Sequence, residues 1–268
     1  MNQFIQTMKK MSNPGFARIT GSGKTMRTGI TAFLAIGLVT LVSSCNMDRS
    51  AESQEPVSDQ DYVTQTDATQ AEISPEKAIA MLKEGNARFT GQKMIERDLI
   101  SQVEQTGSGQ FPFAAVVSCI DSRIPTEMVF DQGIGDIFNA RIAGNFVNED
   151  ILGSLEFAAK VAGSKAIIVL GHTQCGAVKG ACDHVKMGNL TTTLAKLEPA
   201  LNAVSDVTGE RNSKNADFVQ KVADANVWLT IEKIKSDSDI LREMHENGEL
   251  AIVGAMYDVE SGKVSFMN

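Results

Sequence analysis

Phe113-Ala114-Ala115-Val116-Val117-Ser118 is a short, nearly unbroken apolar run, and it ends directly in Cys119-Ile120-Asp121-Ser122-Arg123. Further along, Ala166-Ile167-Ile168-Val169-Leu170 repeats the arrangement and ends in Gly171-His172-Thr173-Gln174-Cys175-Gly176. Apolar runs of this length without polar alternation predict strands buried on both faces, as in a parallel sheet. Working outward, Ile137 to Ile142 and Leu250 to Tyr257 read as two more strands. Glu260-Ser261-Gly262 turns the chain into a last short one, Lys263 to Phe266. Helical spacing marks Ile151 to Val161, Leu194 to Val207 and Val219 to Ile234. Ser74-Pro75 opens an earlier helix, with Ser as the cap and Pro in the first turn. Strands alternating with helices define an α/β fold, a mainly parallel central sheet flanked by helices, over residues 73–268.

In such sheets the chemistry sits at the carboxyl ends of strands. A Cys at one strand end and a His-x-x-Cys at another supply three soft or borderline donors, which zinc accepts in a tetrahedron. Three protein ligands leave a fourth position for water, the arrangement of a catalytic zinc site. Buried cysteines and a core histidine are the bland alternative. The joint placement of Cys119, His172 and Cys175 at two strand ends favours the metal.

The motif set resembles the β-class carbonic anhydrases. Cys119-x-Asp121-x-Arg123 and His172-x-x-Cys175-Gly176 carry the resemblance. Gly85-Asn86-x-Arg88-Phe89, Arg141-x-Ala143-Gly144-Asn145, Asn226-Val227 and Gly254-x-x-Tyr257-Asp258-x-x-x-Gly262 extend it over residues 74–268. It implies one Zn2+ per chain on Cys119, His172 and Cys175, and reversible hydration of CO2 to bicarbonate and a proton by zinc-bound hydroxide. It implies catalytic roles for Asp121 and Arg123. The carboxylate, paired with the guanidinium, orients the nucleophile and stays off the metal. It also implies a substrate-binding Gln110, and Phe138 and Phe157 lining the CO2 pocket. Relatives assemble from dimers with the site near the subunit interface, so a homo-oligomer is expected, with the helix from Ser74 embracing the partner. Val116 stands where one subclass has a Trp, and Gln110 is typical of the other, so an open site is expected. Some relatives turn over carbon disulfide or carbonyl sulfide with the same ligands, but that needs a narrowed entrance that the sequence does not display. Cys182 reads as small apolar filler. His184 reads as a surface residue, and His245 as a solvated one at a polar helix end. A thiol redox protein would want a Cys-x-x-Cys pair at a helix start, which is absent from the sequence.

The flanking sequence speaks to location. The whole chain of 268 residues has a net charge of −8 and is 43% apolar, enough for a sizeable core. The acidic balance excludes a nucleic-acid partner, which would need a basic face. The four cysteines are too few for a disulfide scaffold. Residues 1–45 nevertheless hold Lys9, Lys10, Arg18, Lys24 and Arg27 and no acid. The apolar stretch Ile30 to Val42 falls short of the ~20 residues of a membrane span, so 1–45 reads as a secretory signal. Its end, Val42-Ser43-Ser44-Cys45, resembles a bacterial lipoprotein signal. Lipidation at Cys45 is therefore expected, with export to the periplasm or the outer face of a membrane, held through a lipid anchor alone. Met26 would make a tidier start than Met1. Gly21-Ser22-Gly23-Lys24-Thr25 is no phosphate loop, because Arg18 stands where the leading Gly belongs. Residues 46–72 carry seven acids against Arg49 and few large apolar side chains, and read as a disordered acidic tether.

Overall fold

The computed structural model describes residues 64–267. The signal and most of the acidic tether, Cys45 included, lie outside them. Five strands, β1 (Ala114–Ser118), β2 (Ile137–Arg141), β3 (Ala166–His172), β4 (Ala251–Tyr257) and β5 (Val264–Phe266), form one sheet in the order β2-β1-β3-β4-β5. β1 runs parallel to β2 and β3, and β3 parallel to β4; β5 is antiparallel to β4. The helices are α1 (Asp67–Ala71), α2 (Pro75–Thr90), α3 (Leu99–Thr106), α4 (Thr126–Val129) and α5 (Glu149–Glu156), the last continued by a π-helical turn, Phe157–Val161. Then come α6 (Gly176–Cys182), α7 (Leu190–Ala195), α8 (Glu198–Ala203), α9 (Ala216–Asp237) and α10 (Asp239–Glu246).

Alternation along the strands builds two core layers. Ala114, Val116, Ile168 and Leu170 face Ala78 and Leu82 of α2. Ala115, Val117, Ile167 and Val169 face Leu152 and Leu155 of α5 and Val227, Ile231 and Ile234 of α9. Both faces are covered, which is why β1 and β3 read as unbroken apolar runs. Gly85-Asn86 joins α2 to this body. A Cβ at Gly85 would sit 1.7 Å from the Phe130 carbonyl oxygen, so only glycine allows that approach. Asn86 Nδ2 donates to Val129 O (3.0 Å) and Gly262 O (2.9 Å), and its Oδ1 accepts from Val264 N (2.8 Å). Asp131, fully buried, is held by Arg88 Nε and Arg97 Nη1, each at 2.5 Å. These bonds fix the segment between α2 and α3 against the loop that leads to β2.

Two expectations are corrected, and one helix was not expected. The tether read over 46–72 gives way at its end to folded chain. α1 is locally stable through a capping box between Thr66 and Thr69. Buried Gln70 donates to Pro112 O (2.7 Å) and Ala162 O (2.8 Å). A polar segment is thus anchored by hydrogen bonds rather than by apolar burial. The single helix expected over 194–207 is two, α7 and α8. Pro199 lies in the first turn of α8, where its missing N–H is harmless; inside a continuous helix it would break the ladder. α3 escaped the sequence reading altogether. Its Gln102 is buried and accepts from Ile134 N at 3.0 Å, so a polar residue supplies the contact that an apolar one would have advertised.

Candidate metal centre

The parallel register decides which residues meet. Ser118, last in β1, is level with Leu170 of β3, so Cys119 emerges on the edge where Gly171 and His172 end β3. The chain then doubles back through Gln174, which holds a left-handed φ of 58°. Few non-glycine residues adopt that conformation, and they concentrate at functional sites. Lys179 Nζ steadies it by donating to Gln174 Oε1 at 2.7 Å. The turn returns Cys175 to the same edge as the cap of α6. The donor atoms of Cys119, His172 and Cys175 consequently lie within 4.8 Å of one another, and all three residues are buried.

The donor chemistry fits zinc. His172 Nδ1 lies 2.9 Å from the Thr173 carbonyl oxygen. A carbonyl can only accept, so Nδ1 carries the proton and Nε2 keeps a free lone pair. Nε2 is buried and has no hydrogen-bond partner among the described residues. Such an orphan costs about 1–3 kcal/mol unless something binds it, and a metal ion between the two sulfurs would. Thr173 is itself held from three directions. Its N–H donates to Tyr257 O (2.9 Å), its hydroxyl donates to Asp258 Oδ1 (3.2 Å) and accepts from Val259 N (3.1 Å). The imidazole is therefore oriented by the end of β4, through a backbone carbonyl. This is how metal-ligating histidines are normally fixed. At Cys119 the thiolate is favoured, first by the Cys175 thiol and then by the backbone N–H of Gly144, against the cost of burial. Cys175 moves the opposite way, because Cys119 holds its proton and burial disfavours its charge. A divalent cation replaces that shared proton and allows both to ionise.

Asp121 stands beside the ligands. Arg123 grips it with two side-chain bonds, Nε to Oδ1 (2.9 Å) and Nη2 to Oδ2 (2.7 Å), and its own backbone N–H adds a third to Oδ1 (3.0 Å). This hydrogen bonding holds the Asp121 carboxyl well below the usual carboxylate range. Asp121 Oδ2 is 3.9 Å from His172 Nε2. Arg141 clamps the loop from behind, donating to Cys119 O (3.0 Å) and Asp121 O (2.6 Å). In front of Cys119 and Asp121 opens a cavity of about 220 Å³, walled by Ala143, Gly176, Ala177, Gly180, Leu190 and Leu194. Small and aliphatic side chains suit an apolar, linear substrate such as CO2.

Gln110, Phe138 and Phe157 lie elsewhere. Gln110 is exposed and precedes β1, on the sheet edge opposite Cys119. The five residues of β1 alone span about 16 Å at ~3.3 Å each. Phe138 and Phe157 meet edge to face, with centroids 6.2 Å apart. They line an open groove of about 460 Å³ with Ala115, Leu155 and Ala158. Neither wall of the Cys119 cavity contains them. Within one chain the structure therefore does not bring these three residues to the ligands. Cys182 is buried among apolar side chains at the end of α6. His184 is exposed in the turn after it, and His245 Nδ1 lies 3.0 Å from Leu250 O. Sequence reasoning missed the Thr173–Asp258 contact and gave Arg141 no role. The turn signal Asp258-x-x-x-Gly262 was visible, but not its target.

Fold and site together define an α/β protein with a Cys-His-Cys metal centre at the carboxyl edge of a parallel sheet. A family model described as carbonic anhydrase matches residues 114–264. "Carbonic anhydrase 2" of Mycobacterium tuberculosis is 34% identical over 193 residues, covering 71% of this chain and 91% of the relative. The carbonic anhydrase of Mycolicibacterium smegmatis is 32% identical over 192 residues, covering 71% and 92%. Among solved structures, the β-carbonic anhydrase CafA of Aspergillus fumigatus is similar with a TM-score of 0.54 at 25% identity, covering 72% of this chain and 90% of that one. The chain belongs to the carbonic anhydrase family, in its β class.

Proposed function

We propose that this chain reversibly hydrates CO2 to bicarbonate and a proton at one zinc ion held by Cys119, His172 and Cys175. The observation that carries the reading is the buried, unpartnered His172 Nε2 facing two cysteine sulfurs. Bound zinc supplies Lewis acidity, which lets water act as a nucleophile near neutral pH. The protein does the rest. Asp121, kept ionised by Arg123, accepts a hydrogen bond from the nucleophile and fixes its lone pair. Ala143, Ala177 and Leu194 exclude bulk water from the substrate's side. Stopped-flow CO2 hydration with zinc analysis of the same sample tests this. Catalysis with about one zinc per chain is expected; a zinc-loaded protein without hydration activity would falsify it.

The bidentate Asp121–Arg123 pair supports the open-site subclass, in which the carboxylate stays off the metal and bicarbonate does not inhibit cooperatively. Val116, a β-branched strand residue, supports the same reading because it offers no indole donor. Steep bicarbonate inhibition in a rate titration would count against it.

A homo-oligomer built from dimers completes the site. Phe157 is 45% exposed and the groove it lines is open, so a second copy is the natural source of cover. That copy's Gln110, Phe138 and Phe157 would then stand near the first copy's cavity. Sedimentation should find no active monomer. A monomer with full activity would remove the reason for the three assignments.

The basic start, the short apolar stretch and Cys45 support export and a lipid anchor, with a tether leading to the folded body. No helix among the described residues is long and apolar enough to cross a membrane. Buried acyl chains contribute about 0.8 kcal/mol per CH2, so two or more hold a protein stably. Cys45→Ala should release the protein from the membrane fraction, and a wild type recovered wholly in the soluble fraction would contradict the anchor.

A further inference from the structure

Cys119 lies under a turn that is built from the opposite side of the domain. The Gly144 N–H donates to Cys119 Sγ at 3.4 Å. Gly144 sits at φ +87° in the Ile142–Asn145 turn, which Asn145 N closes by donating to Ile142 O at 2.9 Å. A Cβ on Gly144 would come within 3.0 Å of Leu197, so the turn is pressed flat between the α7–α8 junction and the metal ligand. Its remaining polar atom, the Gly144 carbonyl oxygen, accepts from Asn226 Nδ2 at 2.8 Å. Asn226 belongs to α9 and is 4% exposed, on a buried helix face of Phe218, Val219, Val222, Val227 and Ile231 whose other polar member is Thr230. A buried amide on such a face costs free energy unless it is paired, and the bond recorded for its Nδ2 goes to this carbonyl.

The geometry points to Asn226 as a positioning residue for the zinc site. By pinning the Gly144 carbonyl it fixes the turn, and so keeps the Gly144 N–H on the Cys119 sulfur. The inference rests on the zinc reading of Cys119, His172 and Cys175. Two thiolates push negative charge onto the metal and oppose its Lewis acidity. An N–H group on one of the sulfurs draws some of that charge back, and it also sets the direction from which the sulfur can bind. Asn226 touches neither substrate nor metal; it acts through the turn. Apolar packing would serve α9 equally well with Leu at this position, so the amide has a purpose that packing does not explain.

Cobalt(II) in place of zinc in the full chain gives the test, because the thiolate-to-cobalt charge-transfer absorption reports the donor strength of the sulfurs without reference to activity. Wild type should show that absorption; its absence would overturn the metal reading, and this inference with it. In Asn226→Leu the band should move to longer wavelength, since a sulfur relieved of its N–H contact is a stronger donor. Metal affinity should fall about tenfold, the lower end of what lost outer partners cost, because the sulfur is no longer held in its binding direction. A folded, cobalt-loaded Asn226→Leu with an unmoved band would overturn the inference, even if metal affinity were lower, because that pattern is loosened packing. Should Asn226→Leu fail to fold, Asn226→Ser is read by the same band. Its hydroxyl is polar but too short to span the gap, and the same red shift or its absence decides.

Discussion

Cys175→Ser leaves a folded protein with no stoichiometric zinc and CO2 hydration at the uncatalysed level, whereas Cys182→Ser keeps both metal and activity. The two cysteines share one helix and one apolar cluster, and both are buried. Their chemistry separates them. Cys175 faces Cys119 and His172, with the donor atoms within 4.8 Å of one another, and its sulfur caps no backbone N–H of α6. A serine hydroxyl in that place remains protonated at neutral pH and is a poor partner for zinc. Two remaining ligands would not hold the ion against solvent. Cys182 closes the same helix about 10 Å further on, at ~1.5 Å per residue, among side chains such as Val178 and Val219. Burial pushes its thiol up to about 11, so it stays neutral and behaves as a small apolar group. Its replacement by serine should cost about 1–3 kcal/mol of stability through an unpaired hydroxyl, read as a lowered Tm, with zinc content unchanged. Zinc retained in Cys175→Ser, or lost from Cys182→Ser, would refute the ligand set.

What made the site readable was the sheet. A buried parallel strand has to be an apolar run, and the residue following such a run must stand at the edge where ligands bind. Cys119 and His172 were therefore locatable from one-dimensional pattern alone. Asn226 and Asp258 were not. Each acts through a bond to a residue 82 or 85 positions away, and no local periodicity records which carbonyl or hydroxyl a polar side chain will meet. Gln110, Phe138 and Phe157 mark another limit. The family resemblance assigns them to the pocket, but a resemblance in sequence carries no information about the distances within one chain. Pro199 shows a weaker signal being overridden by a stronger one. The apolar spacing over 194–207 ran through a proline that had to start a new helix. α1 fails for the reverse reason: its anchor is a glutamine, and composition equates glutamine with solvent.

Arg123→Ala should cost about a hundredfold in hydration with zinc content intact, the upper range for losing a partner that orients a metal site. The mechanism differs from that of Cys175→Ser, since all three ligands remain. Asp121 would lose both side-chain bonds and keep the backbone N–H of residue 123. Its Oδ2 already lies 3.9 Å from His172 Nε2, so the freed carboxylate needs only a small rotation to compete for the fourth position on the metal. Arg123→Lys should fall between the two, because an ammonium is a point charge and cannot hold both oxygens in one plane. The pH dependence follows from the sign of the shift. The folded carboxyl of Asp121 lies below its unfolded value, so the pair's stabilisation is fully present above about pH 4 and is lost only as pH falls through the lower folded value. Asp121 is therefore ionised throughout pH 6–9, in wild type and variant alike, and any decline in wild-type rate toward pH 6 belongs to a different group. Hydroxide competes with the freed carboxylate for the fourth position on the metal, so Arg123→Ala should lose most rate near pH 6 and least near pH 9, although Asp121 stays ionised across the range. An equal loss at every pH would mean that the freed carboxylate does not compete for the metal, and a variant as fast as wild type would mean that the guanidinium does not hold the carboxylate off it.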